Sequence, residues 1–113
     1  MGVGRRWGMA LVEGRSMQPT LMPGDRLLVR HGARPVAGRI AVVRLPGRPL
    51  SVKRLSRREG ADWWVERDNP AEGVDSWTFG AGVPDDDVVA LVLGRLWPRP
   101  SLLRAAPRAG GVQ

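Results

Sequence analysis

RLLVR (26–30), RIAVVRL (39–45), LSVKRL (50–55), DWWVER (62–67) and DVVALVLGRLW (87–97) are short apolar or alternating runs. Between them lie PGD, GARPVAG, PGRP, REGA and DNPAEG. Apolar residues at a period of two suit strands, and Gly, Pro, Asn and Asp between the runs suit tight connections. No segment carries a convincing apolar stripe at helical spacing. So many strands within 113 residues predict an all-β fold, a compact barrel or sandwich-like domain with its sheet edges covered by loops. MALVE (9–13) reads as one more strand ahead of these.

The composition shifts at PRPSLLRAAPRAGGVQ (98–113), which is rich in Pro, Arg, Ala and Gly. The expected organisation is one domain over 7–98 and a basic tail over 99–113, largely disordered or loosely attached. The apolar runs WGMALV and VVALVL fall far short of the ~20 residues a membrane-spanning helix needs. Glu13, Gly14 and Arg15 do not make a secretory cleavage site. The chain is therefore expected to be soluble and cytoplasmic, with no transmembrane anchor.

With no cysteine, disulfides, thiolate metal sites and thiol nucleophiles are excluded. A net charge of +7 permits attraction to nucleic acid or anionic surfaces. The basic residues are scattered, however, and no helix-turn-helix, zinc-finger or RNP-type pattern accompanies them, so no nucleic-acid partner is expected. Of the 18 basic residues, one is lysine, Lys53, and the others are arginine. Arginine stays protonated in proteins, whereas a desolvated lysine can act as a neutral base. Chance retention of one lysine explains the count equally well.

GRSMQPTLMPGD (14–25) sets a serine before a stiff loop, because Pro19 and Pro23 fix their own backbone and restrict Gln18 and Met22. Such a loop aims Ser16 in a definite direction, or simply punctuates two strands. A serine nucleophile needs a base. His31, in VRHGARP, reads as an exposed loop histidine. Lys53 shares a strand face with Ser51 and Leu55, where burial would lower its pKa; a snorkelling strand lysine is the alternative. A Ser-Lys pair is a recognised nucleophile-base variant, and 37 residues are enough for two or three strands to bring the chain back.

GRSMQPTLMPGDRLLV resembles the nucleophile box of the signal peptidase I family through Ser16, Met17, Pro19, Thr20, Leu21, Gly24 and Asp25. GRIAVVRLPGRPLSVKRL resembles the following boxes, with Lys53 and Arg54 in place of the family's Lys-Arg pair. ERDNPAEGVDSWTFGAGV resembles the last box through Asp68, Asn69, Asp75, Ser76, Phe79 and Gly80. The resemblance implies a signal peptidase/LexA-type catalytic domain in which Ser16 attacks the scissile carbonyl, Lys53 takes its proton and the Ser16 N–H helps hold the oxyanion. It gives Gly14, Asp75 and Ser76 supporting places at the site, and Met17 and Pro19 contact with substrate.

Four residues depart from the pattern. Gly14 stands where some members carry an oxyanion-donating serine, Gly73 where many carry a lysine-orienting serine, and Arg67 where the glycine of Gly-Asp-Asn is usual. Trp77 also replaces an arginine. The short form without a large inserted domain is most similar to the nickel-type superoxide dismutase maturation proteases. The implied substrate is an extended segment of a protein precursor, that of nickel superoxide dismutase among the candidates, with no cofactor and no metal in this chain. A self-cleaving regulator like the LexA repressor's C-terminal domain is the alternative within proteolysis, although no DNA-binding domain and no Ala-Gly site precede Ser16. A non-catalytic basic binding module is the alternative outside it.

Overall fold

The computed structural model describes residues 6–105. Eight strands form one curled antiparallel sheet: β1 (Trp7–Leu11), β2 (Arg26–His31), β3 (Ile40–Val43), β4 (Ser51–Glu59), β5 (Asp62–Glu66), β6 (Val83–Pro84), β7 (Val88–Trp97) and β8 (Ser101–Leu102). Their order is β1-β2-β7-β3-β4-β5-β6, with β8 added to β7. The all-β expectation holds, as a half-barrel.

β3 and β7 occupy the middle of the sheet, and their sequences say why. IAVV has no polar residue, and all four of its side chains are buried, as expected for a strand covered on both faces. Ile40 and Val42 join Val12, Met17, Leu21, Leu27, Val29, Ala90 and Val92 in one cluster. Ala41 and Val43 join Leu45, Leu55, Trp63, Val65, Val83, Val88 and Leu91 in the other. The pleat sends alternate residues to opposite faces, so one strand feeds two cores. β1, β2 and the loop after β1 close the first core; β4 to β6 close the second. Register shifts between β2 and β7 and between β4 and β5 add the local twist that curls the sheet.

Local differences from the sequence reading have physical causes. The first strand is Trp7–Leu11, two residues earlier than expected, because Val12 leaves the ladder to bond Asp25 and Gly24 across the loop base. A four-residue helix α1 (Ser76–Phe79) follows Asp75, which caps it through a capping box with Thr78, and Gly80 ends it at φ +72°. A helix this short carries no periodicity to detect. The start of the expected tail is part of the sheet: Ser101 and Leu102 pair with Arg95 and Gly94. Leu103 donates its N–H to the Leu93 carbonyl and packs on the first cluster. The last part of the expected tail, 106–113, lies outside the described residues. Among the described residues no helix is long and apolar enough to cross a membrane.

Leu55 is fully buried on β4, whereas Leu50, just before that strand, is 57% exposed. Leu55→Ala is expected to cost about 2–5 kcal/mol, and Leu50→Ala less than about 0.5 kcal/mol. Urea midpoints at an unchanged slope check both.

Candidate active site

The loop from Val12 to Asp25 is closed at its base by hydrogen bonds from the Val12 N–H to the Asp25 carbonyl (2.9 Å) and from the Gly24 N–H to the Val12 carbonyl (2.9 Å). Inside it, Met17 and Leu21 anchor the loop in the first core. The Asp25 carboxylate accepts from the Met22 N–H at 2.9 Å and from Arg95 at 3.3 Å. Ser16, beside the buried Met17, stands half-buried at the rim.

β4 brings the partner. Lys53 lies opposite Ala41 of β3 and is only 4% exposed. Its Nζ is 2.9 Å from Ser16 Oγ. Lys53 shares its strand face with Leu55 of the second core, while Met17 beside the serine belongs to the first. The pair therefore sits at the seam between the two cores. Removal from water lowers the Lys53 pKa from 10.5 to about 8; the Asp75 carboxylate works against that shift, and Arg48 and Arg67 reinforce it.

A cleft of about 380 Å3 opens over the pair. Residues 11–17 form one wall, 48–53 the opposite wall and 72–74 the end. Leu11 and Leu50, both more than half exposed, give the two walls apolar lips. Among the described residues β1 pairs only with β2, which leaves the strand leading to Ser16 with a backbone edge that none of them covers.

Asp68 ties these parts together. It accepts a 2.6 Å hydrogen bond from the Thr20 hydroxyl of the Val12–Asp25 loop. It also receives two from Arg54, at 2.9 and 2.7 Å. Burial pushes the Asp68 carboxyl up, but the Arg54 and Thr20 hydrogen bonds and the Arg54 charge outweigh it and hold it below its usual value. Asn69 adds two bonds to the same loop, from its N–H to the Ser16 carbonyl (2.8 Å) and from its side chain to the Arg15 carbonyl (2.9 Å). The loop, β4 and the 68–69 turn are thus fixed to one another.

A family model described as Peptidase S24-like matches residues 4–91, a span that includes Ser16, Lys53 and Asp68. The chain belongs to the Peptidase S24-like family. That membership supports the wider LexA and signal peptidase superfamily expected from the motifs. No curated protein matches the chain.

Within this Peptidase S24-like domain the other residues singled out in the sequence fall at different places. Gly14 lines the cleft at φ +77° with open space where a Cβ would stand. Gly73 lines it too, and a Cβ there would lie 2.7 Å from the Ser16 Cβ, so a serine at 73 has no room in this backbone. Asp75 is buried beneath the site as the α1 cap, whereas Ser76 Oγ, fully buried, accepts the Val65 N–H at 2.9 Å and fastens α1 to β5. Met17 contributes to the cleft while packing in the core. Pro19 is exposed and, like His31 at the end of β2, is not among the cleft-lining residues. Arg48 and Arg67 passed unnoticed in the sequence reading as neighbours of the lysine; among so many arginines no spacing distinguishes them.

A lysine titrating near 8 in the folded chain and near 10.5 when unfolded opposes folding. The unfolded chain binds the extra proton, so the penalty is complete below about pH 8 and vanishes above about pH 10.5. Lys53→Met is therefore expected to be more stable than wild type at pH 7 by about 1–3 kcal/mol. That advantage should shrink as denaturant midpoints are repeated from pH 8 to pH 10.5.

Proposed function

We propose that the protein is a serine endopeptidase that removes an N-terminal extension from a protein precursor, with Ser16 as nucleophile and Lys53 as general base. The observation that carries the reading is the 2.9 Å approach of a buried amine to a serine hydroxyl inside an open cleft. As Ser16 Oγ bonds to the scissile carbonyl carbon, its proton passes to the neutral Lys53 Nζ, which then gives it to the departing amine. Water repeats the sequence on the acyl-enzyme ester. The Ser16 N–H, which has no acceptor among the described residues, is the oxyanion donor; Gly14 supplies no side-chain donor.

That edge of β1 supports binding of an extended peptide by strand addition, with specificity coming from a few side-chain contacts in the cleft. A precursor segment with small residues beside the cut suits the motif resemblance. The nickel superoxide dismutase precursor in the cytoplasm is the first substrate to try. Family membership also favours a second reading, cleavage of the protein's own chain, and intact-mass measurement of wild type against Ser16→Ala separates the two.

Mass spectrometry of a peptide library, including that precursor segment, tests the reading directly. Wild type is expected to cleave, and Ser16→Ala and Lys53→Arg to lose at least about a thousandfold while remaining folded. Equal cleavage by all three proteins refutes the dyad. Because only the neutral amine can take the proton, kcat/KM should rise about tenfold per pH unit below about 8 and level above it.

A further inference from the structure

The buried site contains a conflict. Asp75 is almost wholly enclosed, and its charge favours the ammonium form of Lys53, yet a general base must be free of its proton. Asp75 cannot simply be dispensed with, because its carboxylate caps α1 through the Trp77 N–H (3.0 Å) and accepts the Arg67 N–H (3.1 Å). The residue that meets this charge is Arg67, the departure from the family's glycine. Its Nε lies 3.4 Å from Asp75 Oδ2. The other arm of the same guanidinium donates to the Gly73 carbonyl and, at 3.5 Å, to that of Glu72.

Those two contacts converge on the dyad from one side. Gly73, at φ +81°, runs so close to Ser16 that a Cβ would stand 2.7 Å from the serine Cβ and 3.6 Å from Lys53 Nζ. A backbone so near the nucleophile limits the orientation of the hydroxyl, and Arg67 is what ties that backbone down. A glycine at 67 could do neither task, and a lysine could not present the same planar fork.

We propose that Arg67 is a positioning residue of the Ser16–Lys53 dyad, bracing the Gly73 backbone against the serine while it balances the buried Asp75 carboxylate beside the lysine. This rests on the proteolytic reading for its purpose but not for its test. The charged groups that face the amine are Asp75 from the cap of α1, Arg67 from the segment after β5 and Arg48 from the connection before β4. Glu13 and Arg15 on the nucleophile loop and Glu72 beside Gly73 line the same cleft. Arg48 disfavours the ammonium too, and by its charge ahead of Arg67, but it has no hydrogen bond to Asp75 or Gly73 among the described residues, so it is the control for a charge that acts independently of Asp75.

Lys53 is the sole lysine, so a protein labelled with 13C-lysine gives one side-chain titration that needs no substrate. Arg67→Gln is expected to move the Lys53 midpoint up by about one pH unit where Asp75 is present and by clearly less on Asp75→Asn, whereas Arg48→Gln should move it equally in both backgrounds. An unchanged or lowered midpoint in Arg67→Gln, or a rise as large on Asp75→Asn as with Asp75 in place, overturns the proposal. Should Arg67→Gln not fold with its lone buried carboxylate, the substitution is made on Asp75→Asn. Folding restored there, with a midpoint within clearly less than about one pH unit of Asp75→Asn alone, supports the balance; a double variant that still does not fold, or a midpoint raised by about a full unit, overturns the proposal. With a cleaved substrate in hand, the low-pH limb of kcat/KM in Arg67→Gln should shift upward with the Lys53 midpoint. A purely structural loss would lower activity equally at every pH. A wild-type protein that cleaves nothing while Lys53 titrates as described would defeat the proteolytic reading and leave the role of Arg67 standing.

Discussion

Everything at the site depends on keeping one amine out of water. Burying a cation without a partner is costly, and the protein meets that cost by letting the group lose its proton at a lower pH. Lys53 can be buried because β4 lies next to β3, whose four residues are enclosed on both faces. The strand pairing that places Ala41 opposite Lys53 gives the lysine stem an apolar wall. The stability of the sheet and the chemistry of the amine are therefore linked through the same residues.

The serine reaches that amine through loops, which are less well fixed than strands, so polar contacts have to supply the rigidity. Asp68 does most of this, receiving Thr20 from one loop and a two-pronged contact from Arg54 on β4. Arg54 extends further to the Gly38 carbonyl. The Arg54–Asp68 pair is only about one-sixth exposed, where an ion pair with its hydrogen bonds satisfied fixes geometry more surely than it adds net stability. The motif positions Thr20, Arg54 and Asp68 thus form a single bracket around the Ser16–Lys53 pair, although they lie far apart in the chain.

Legibility in the sequence followed the range of the interactions. Strands announced themselves by alternation and by Gly and Pro between them, and β2, β3, β5 and β7 lie within or close to the expected runs. What escaped was set by contacts rather than by pattern: the four-residue α1, created by the Asp75 cap, the two-residue β6, and β8, held by Leu103 packing on the core. Ser16 and Lys53 could be singled out, the first by its stiff loop and the second as the one lysine. Their approach could not, because nothing local encodes the Asp68 bracket. Arg67 was visible only as a departure from a motif; its significance emerges when Asp75 and Gly73 are seen within its reach.

The adjacent pair Lys53 and Arg54 shows how one strand divides labour between two cations. Consecutive residues on a strand point to opposite faces, so the lysine enters the seam between the cores while the arginine turns toward Asp68 and Gly38. At the second position a permanent, planar charge is wanted, because it must hold a carboxylate by two bonds at once. At the first, permanence would be fatal to base catalysis, since arginine cannot give up its proton near neutral pH. Exchanging the two residues would conserve charge and composition and abolish both arrangements. In a chain whose other basic residues are all arginine, the lone lysine stands where the proposed chemistry needs a cation that can cease to be one.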